Sequence, residues 1–100
     1  MSVAPLTLDD RLVFPPTVIS RDLDGESVVL NQDTGIYFGL DEIGTAIWKY
    51  IEETGRLGDV RDRVVAEYDV PPDIAAQDLL RLAEQFLARG LAVLEPASIT

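Results

Sequence analysis

The chain has 100 residues, 47% apolar and 26% charged, with eighteen acids against eight bases and a net charge of −10. That length holds one domain and one core, and bases scattered singly leave no phosphate-tracking surface, so nucleic acid and anionic membranes are poor partners. No apolar run approaches the ~20 residues of a membrane span, and the N-terminus lacks the basic-then-apolar order of a signal peptide. The absence of cysteine fits a reducing, cytoplasmic setting.

Residues 1–10 show no period and are expected to form a mobile tail, with a single domain over 11–95. Arg11-Leu-Val-Phe is a short apolar run halted by Pro15-Pro16, and the double proline forbids a central strand there. Thr17 to Arg21 resumes β-branched character and is followed by the turn Asp22-Leu-Asp-Gly25. Glu26 to Asn31 reads as the next strand, Gln32-Asp-Thr-Gly35 as a turn, and Ile36 to Leu40 as the strand after it. Alternation puts Ile36, Phe38 and Leu40 on one face and Tyr37 and Gly39 on the other. Strands this closely spaced predict an antiparallel meander.

Three helices are predicted to follow. Asp41 is placed to cap the first, over 42–53, with Ile43, Ala46, Ile47, Tyr50 and Ile51 as its apolar stripe and Trp48 at the flank. Gly55 ends it. The second runs over 57–68 with Leu57, Val60, Val64 and Val65 inward, and Pro71-Pro72 breaks the chain after it. The third, over 73–89, carries apolar residues around about 160° of its circumference, more than the ~100° one core contact requires. One side of that helix is therefore available to cover a second surface. Leu91 to Leu94 reads as a short end strand.

The inventory for catalysis is poor. Histidine and cysteine are absent, and no glycine-rich phosphate loop of standard pattern occurs. The pairs Asp9-Asp10, Asp41-Glu42 and Glu52-Glu53 sit at a tail or at helix ends, where carboxylates serve capping and dipole roles. The expectation is a protein that is not an enzyme, with no cofactor and no metal. Binding surface remains. A meander has edge strands with unpaired backbone groups, and Gly35 and Gly39 bound a segment that a second backbone can approach. If the third helix lies beside that edge, its extra apolar flank walls a groove suited to an extended peptide. The competing reading takes Tyr37 and Phe38 as ordinary core residues, and composition alone leans slightly towards it.

The run Tyr37-Phe-Gly-Leu-Asp-Glu-Ile-Gly-Thr-Ala-Ile-Trp48 resembles the Y-x-x-L-N-x-x-G-x-x-I-W segment of the PqqD-like proteins, the leader-peptide recognition elements of ribosomally made, modified peptide pathways. Thr54-Gly-Arg-Leu with Val60 to Tyr68 is similar to that family's short second helix. Asp78-Leu79, Phe86-Leu87 and Gly90-Leu91 are similar to its closing helix and tail. The resemblance spans about residues 17–94, and its specificity lies in the order and spacing of motifs that are individually loose. Asp41 stands where the family commonly has asparagine, and the extension through Pro15-Pro16 is longer than the pattern leads one to expect.

What the resemblance implies is an α+β, winged-helix-like domain in which a three-stranded antiparallel sheet is followed by three helices. It implies a stand-alone, non-catalytic adaptor. Such a protein captures a precursor's leader peptide as an added strand and presents it to a tailoring enzyme or leader peptidase. The pathway could be that of a lasso peptide or of the PQQ cofactor. Carried onto this chain, the added strand pairs with Gly35, Ile36, Tyr37, Phe38 and Gly39. The helix wall is expected from Ala76, Leu80, Ala83 and Leu87, with Asp78 and Arg81 at the rim. A winged-helix DNA-binding domain is the alternative, and it needs a basic recognition helix where 73–89 has two arginines against three acids. A general protein-interaction domain using the same edge is the third reading.

Overall fold

The computed structural model describes residues 6–95. In chain order these form β1 (Arg11–Val13), β2 (Val18–Leu23), β3 (Glu26–Asn31), β4 (Tyr37–Leu40), α1 (Glu42–Thr54), α2 (Leu57–Tyr68), α3 (Pro72–Ala88) and β5 (Val93–Glu95). The three-stranded antiparallel sheet has the order β2-β3-β4, and the three helices follow it, as the sequence predicts. A second, two-stranded sheet joins β1 to β5.

Local chemistry sets the meander. Asp24 and Gly25 both take positive φ, 54° and 86°, between the paired residues Leu23 and Glu26. A two-residue loop of that hand matches the twist of the flanking strands. The register then runs from Leu23↔Glu26 to Val18↔Asn31 on one side of β3, and from Ser27↔Leu40 to Leu30↔Tyr37 on the other. Alternation turns Ser27, Val29, Asn31 and Leu40 towards the helices, where all four are buried. Tyr37, on the opposite face, is 71% exposed.

The strand-to-helix joint is closed by Asp41. Its backbone is extended and its Oδ1 accepts from the Gly44 amide at 2.7 Å, the predicted N-cap. Gly44 is the glycine of the motif for a steric reason. A Cβ there would lie 3.1 Å from Asp41 Oδ1 and 3.2 Å from Leu40 Cδ2. Ser27 and Thr45 hydroxyls meet at 2.8 Å and tie β3 to α1 within the core.

The core is an aromatic cluster packed among aliphatic residues of all three helices. Trp48, placed at the flank of its helix by the sequence reading, is only 2% exposed. The difference comes from Phe14, whose ring stacks on the indole with centroids 3.5 Å apart. The segment ahead of Pro15-Pro16 thus covers a side of α1 that the helical wheel leaves open. Phe86 stands edge-on to Trp48 at 5.1 Å and to Phe38 at 5.9 Å.

Residues 1–5 of the expected tail lie outside the described residues. Residues 6–10 are tied to the start of α2, where the Leu57 amide donates to Asp10 O at 3.0 Å and the Gly58 amide to Leu8 O at 2.8 Å. Because α2 has no side-chain N-cap, these backbone carbonyls satisfy donors that a helix start leaves open. The apolar run ahead of Pro15-Pro16 is held as well, as β1. Leu12 is buried, its amide donates to Gly55 O at 3.0 Å, and Arg11 to Val13 pair with Glu95 to Val93. Among the described residues no helix is long and apolar enough to cross a membrane.

Candidate functional site: an open strand edge beside the third helix

Among the described residues, the order β2-β3-β4 leaves β4 paired on one side only. Which of its backbone groups point outward follows from the register. The Asn31 amide donates to Ile36 O at 2.8 Å, so Asn31 and Ile36 are a hydrogen-bonded pair. Hydrogen-bonded and non-bonded pairs alternate along an antiparallel ladder. Val29–Phe38 and Ser27–Leu40 are therefore bonded pairs, whereas Leu30–Tyr37 and Val28–Gly39 are not. The N–H and C=O groups of Tyr37 and Gly39 consequently face away from β3. The same alternation checks on the far side, where the Gln32 amide donates to Thr17 O at 2.9 Å.

Gly35 and Ile36 sit differently from these two. The Gly35 amide donates to Asn31 O at 2.8 Å and the Ile36 amide to Thr34 Oγ1 at 3.2 Å, so both amides are engaged inside the turn. Of the five residues expected to pair with a peptide, Tyr37 and Gly39 present the open backbone. Phe38 instead turns its ring inward against Phe86.

Beside this edge lies an open cleft of ≈530 Å³ between β4, the start of α1 and α3. Phe38, Leu40, Ile43, Ile47 and Leu82 supply its apolar lining, and Asp78, Arg81 and Gln85 contribute from α3. Arg81 bridges Asp78 at 2.9 Å one turn along the helix, with both side chains well exposed. Such a pair is screened and worth little to stability, but it leaves the rim without a lone charge at this point. Arg89 lies over the Phe38 ring at 5.0 Å.

The wall of the cleft is not the flank expected from the sequence. On α3 the cleft is lined by Asp78, Arg81, Leu82 and Gln85, and not by Ala76, Leu80, Ala83 or Leu87. At ~100° per residue, those four positions point roughly opposite to 78, 82 and 85. Ala83 is fully buried, and Leu80 and Leu87 pack against the core. α2 packs on α3, whose buried residues are Ala75, Leu79, Ala83 and Phe86. The flank left for a ligand is the one that tolerates water while empty. Leu82, Gln85, Ile43 and Ile47 line the cleft without having been expected there, and the sequence signal for the α3 face is the i, i+4, i+7 series Asp78, Leu82, Gln85.

The groups whose proton affinity is shifted are Lys49, raised by its hydrogen bond to Asp22, Tyr50 and Glu52, raised by burial, and Arg56, raised by its bond to Asp9. None of them lines the cleft. No group of three or more potential metal-ligating residues occurs among the described residues.

An α+β domain whose sheet ends in an open edge beside a helix-walled cleft defines a class of peptide-binding scaffold. Comparison with known proteins gives the class its family. Residues 26–92 match the family described as Coenzyme PQQ synthesis protein D (PqqD), and the chain belongs to that family. Two solved structures are similar. One, described as TbiB1 in complex with the TbiA(beta) leader peptide, is 34% identical with a TM-score of 0.74, over 86% of this chain and 98% of that one. The other is a lasso peptide synthetase B1 complexed with the leader peptide. It is 22% identical with a TM-score of 0.74, over 83% of this chain and 98% of that one, and at that identity it supports the fold alone. No curated protein matches the sequence.

Proposed function

We propose that this protein is a cytoplasmic, non-catalytic adaptor that binds the leader segment of a ribosomally made precursor peptide as an additional strand on β4. It then presents the precursor to a tailoring enzyme or leader peptidase of the same pathway. The reading is supported above all by the outward N–H and C=O groups of Tyr37 and Gly39, set beside an apolar cleft in a member of the PqqD family. Strand addition supplies main-chain hydrogen bonds, while alternate side chains of the peptide enter pockets for specificity. Here the pocket is the Phe38, Leu40, Ile43, Ile47 and Leu82 lining. The similarity to a structure holding a leader peptide favours a leader peptide as the ligand.

The test is amide hydrogen exchange with and without the leader of the precursor encoded beside this gene. Protection is expected at Tyr37 and Gly39, while Phe38 and Leu40, already bonded to β3, change little. Unchanged exchange at Tyr37 and Gly39 under saturating peptide would overturn the proposal.

A further inference from the structure

Asn31 is the last residue of β3 and is 7% exposed. Its backbone amide and carbonyl close the β3–β4 turn against Ile36 O and the Gly35 amide. Its side chain does two separate things. Oδ1 accepts from the amides of Asp33 at 2.9 Å and Thr34 at 3.3 Å, which fixes the turn. Nδ2 donates to Gly90 O at 2.8 Å, across fifty-nine residues of sequence.

Gly90 follows the end of α3 with φ of 73°, where it is anchored by its own amide to Leu87 O at 3.2 Å and by the Leu91 amide to Phe86 O at 2.8 Å. The Asn31–Gly90 bond therefore joins the base of the β4 hairpin directly to the C-terminal end of α3. Those two elements are the walls of the cleft. At the same corner Arg89 lies over Phe38. Leu40 and Asp78 line the cleft further from this corner.

We infer that Asn31 is a positioning residue for peptide capture, holding the β4 edge and the α3 wall at the separation an added strand requires. The inference rests on the reading of the cleft as a peptide site. A strand binding there must meet backbone groups on one side and apolar side chains on the other at once. A wall free to drift would make the peptide bear the ordering cost, and affinity falls accordingly. The turn alone explains Oδ1. It does not explain the bond from Nδ2 to the helix end.

Asn31→Asp separates the two roles, since it keeps an acceptor for the turn and replaces the donor facing Gly90 O with a carboxylate. Asn31→Ser is the second variant. Its hydroxyl still accepts from the turn amides, and it is too short to span to Gly90. Val64→Ala, buried on α2 away from the cleft, is the control for simple loss of stability. The full chain is titrated into a fluorescein-labelled synthetic peptide with the leader sequence of the neighbouring precursor, at a temperature where circular dichroism shows every variant folded. Wild type binds, Asn31→Asp or Asn31→Ser raises Kd about tenfold through faster dissociation, and Val64→Ala stays within about twofold although it melts earlier. Wild-type affinity in the folded Asn31 variants, or an equal loss in Val64→Ala, overturns the positioning role while leaving peptide binding intact. No binding by wild type removes the peptide reading itself, and the positioning role with it.

Discussion

The three-stranded sheet has two edges, and they are not equivalent. β4 borders a cleft walled by α3 and α1, with Phe38 and Leu40 turned into it. β2 is exposed along almost its whole length, with Ile19 46% and Leu23 58% exposed. Asp22 on β2 is instead held by Lys49 of α1 at 2.8 Å, and charges on an edge discourage strand addition. An open backbone is therefore not sufficient for a binding site. What distinguishes β4 is the apolar wall beside it, on which the proposed strand addition depends.

The sharpest way to break the comparison is a pair of prolines. Tyr37→Pro removes an outward N–H and no β3–β4 ladder bond, so it should abolish detectable leader binding, at least about thirtyfold by fluorescence anisotropy, while the protein still folds. The matching Ser20→Pro on β2 also removes an outward N–H, by the same alternation, and should leave Kd unchanged. Equal losses from both would mean that the two edges are equivalent. Next in size, Leu82→Asp puts a charge into the cleft wall and should weaken binding about tenfold. Leu80→Ala on the opposite flank should lower the unfolding midpoint and spare Kd.

Smaller effects test the scaffold between the edges. Asp41→Ala removes the N-cap at the end of β4 and should cost about 1 kcal/mol in urea unfolding, recovered largely by Asp41→Asn. The smallest concerns Glu52, whose proton affinity is raised by burial and by Asp22. A carboxyl with a raised folded-state pKa binds its proton more tightly in the folded protein, so its contribution to stability falls as pH rises above the unfolded value. Glu52→Gln should therefore raise the melting midpoint slightly at neutral pH and lose that advantage near pH 4.

Much of this architecture was legible in the sequence. The turn residues at 24–25 and 32–35, the Asp41 cap and the apolar stripe of α1 are local features, and each is written in nearby residues. The inward and outward faces of β4 followed from alternation alone. Three things were not legible, because each depends on distant segments. Trp48 is buried by Phe14, the N-terminal segment is fixed by α2, and the flank of α3 beside the cleft depends on how the three helices pack against the sheet. The parity of the β4 hydrogen bonds belongs in the same group. It is set by the Asn31–Ile36 bond, which a strand's own sequence does not encode.

Trp48, the one tryptophan in the chain, has a consequence for measurement. Its indole touches Phe86, and Phe86 touches Phe38 on the cleft side, so two ring contacts separate the chromophore from the proposed docking site. Its indole is buried, with Phe14 and Phe86 packed against it, so its emission reports on these rings. The protein thus carries an intrinsic optical probe. Peptide seating that shifts Phe38 will register in the emission of the unlabelled chain.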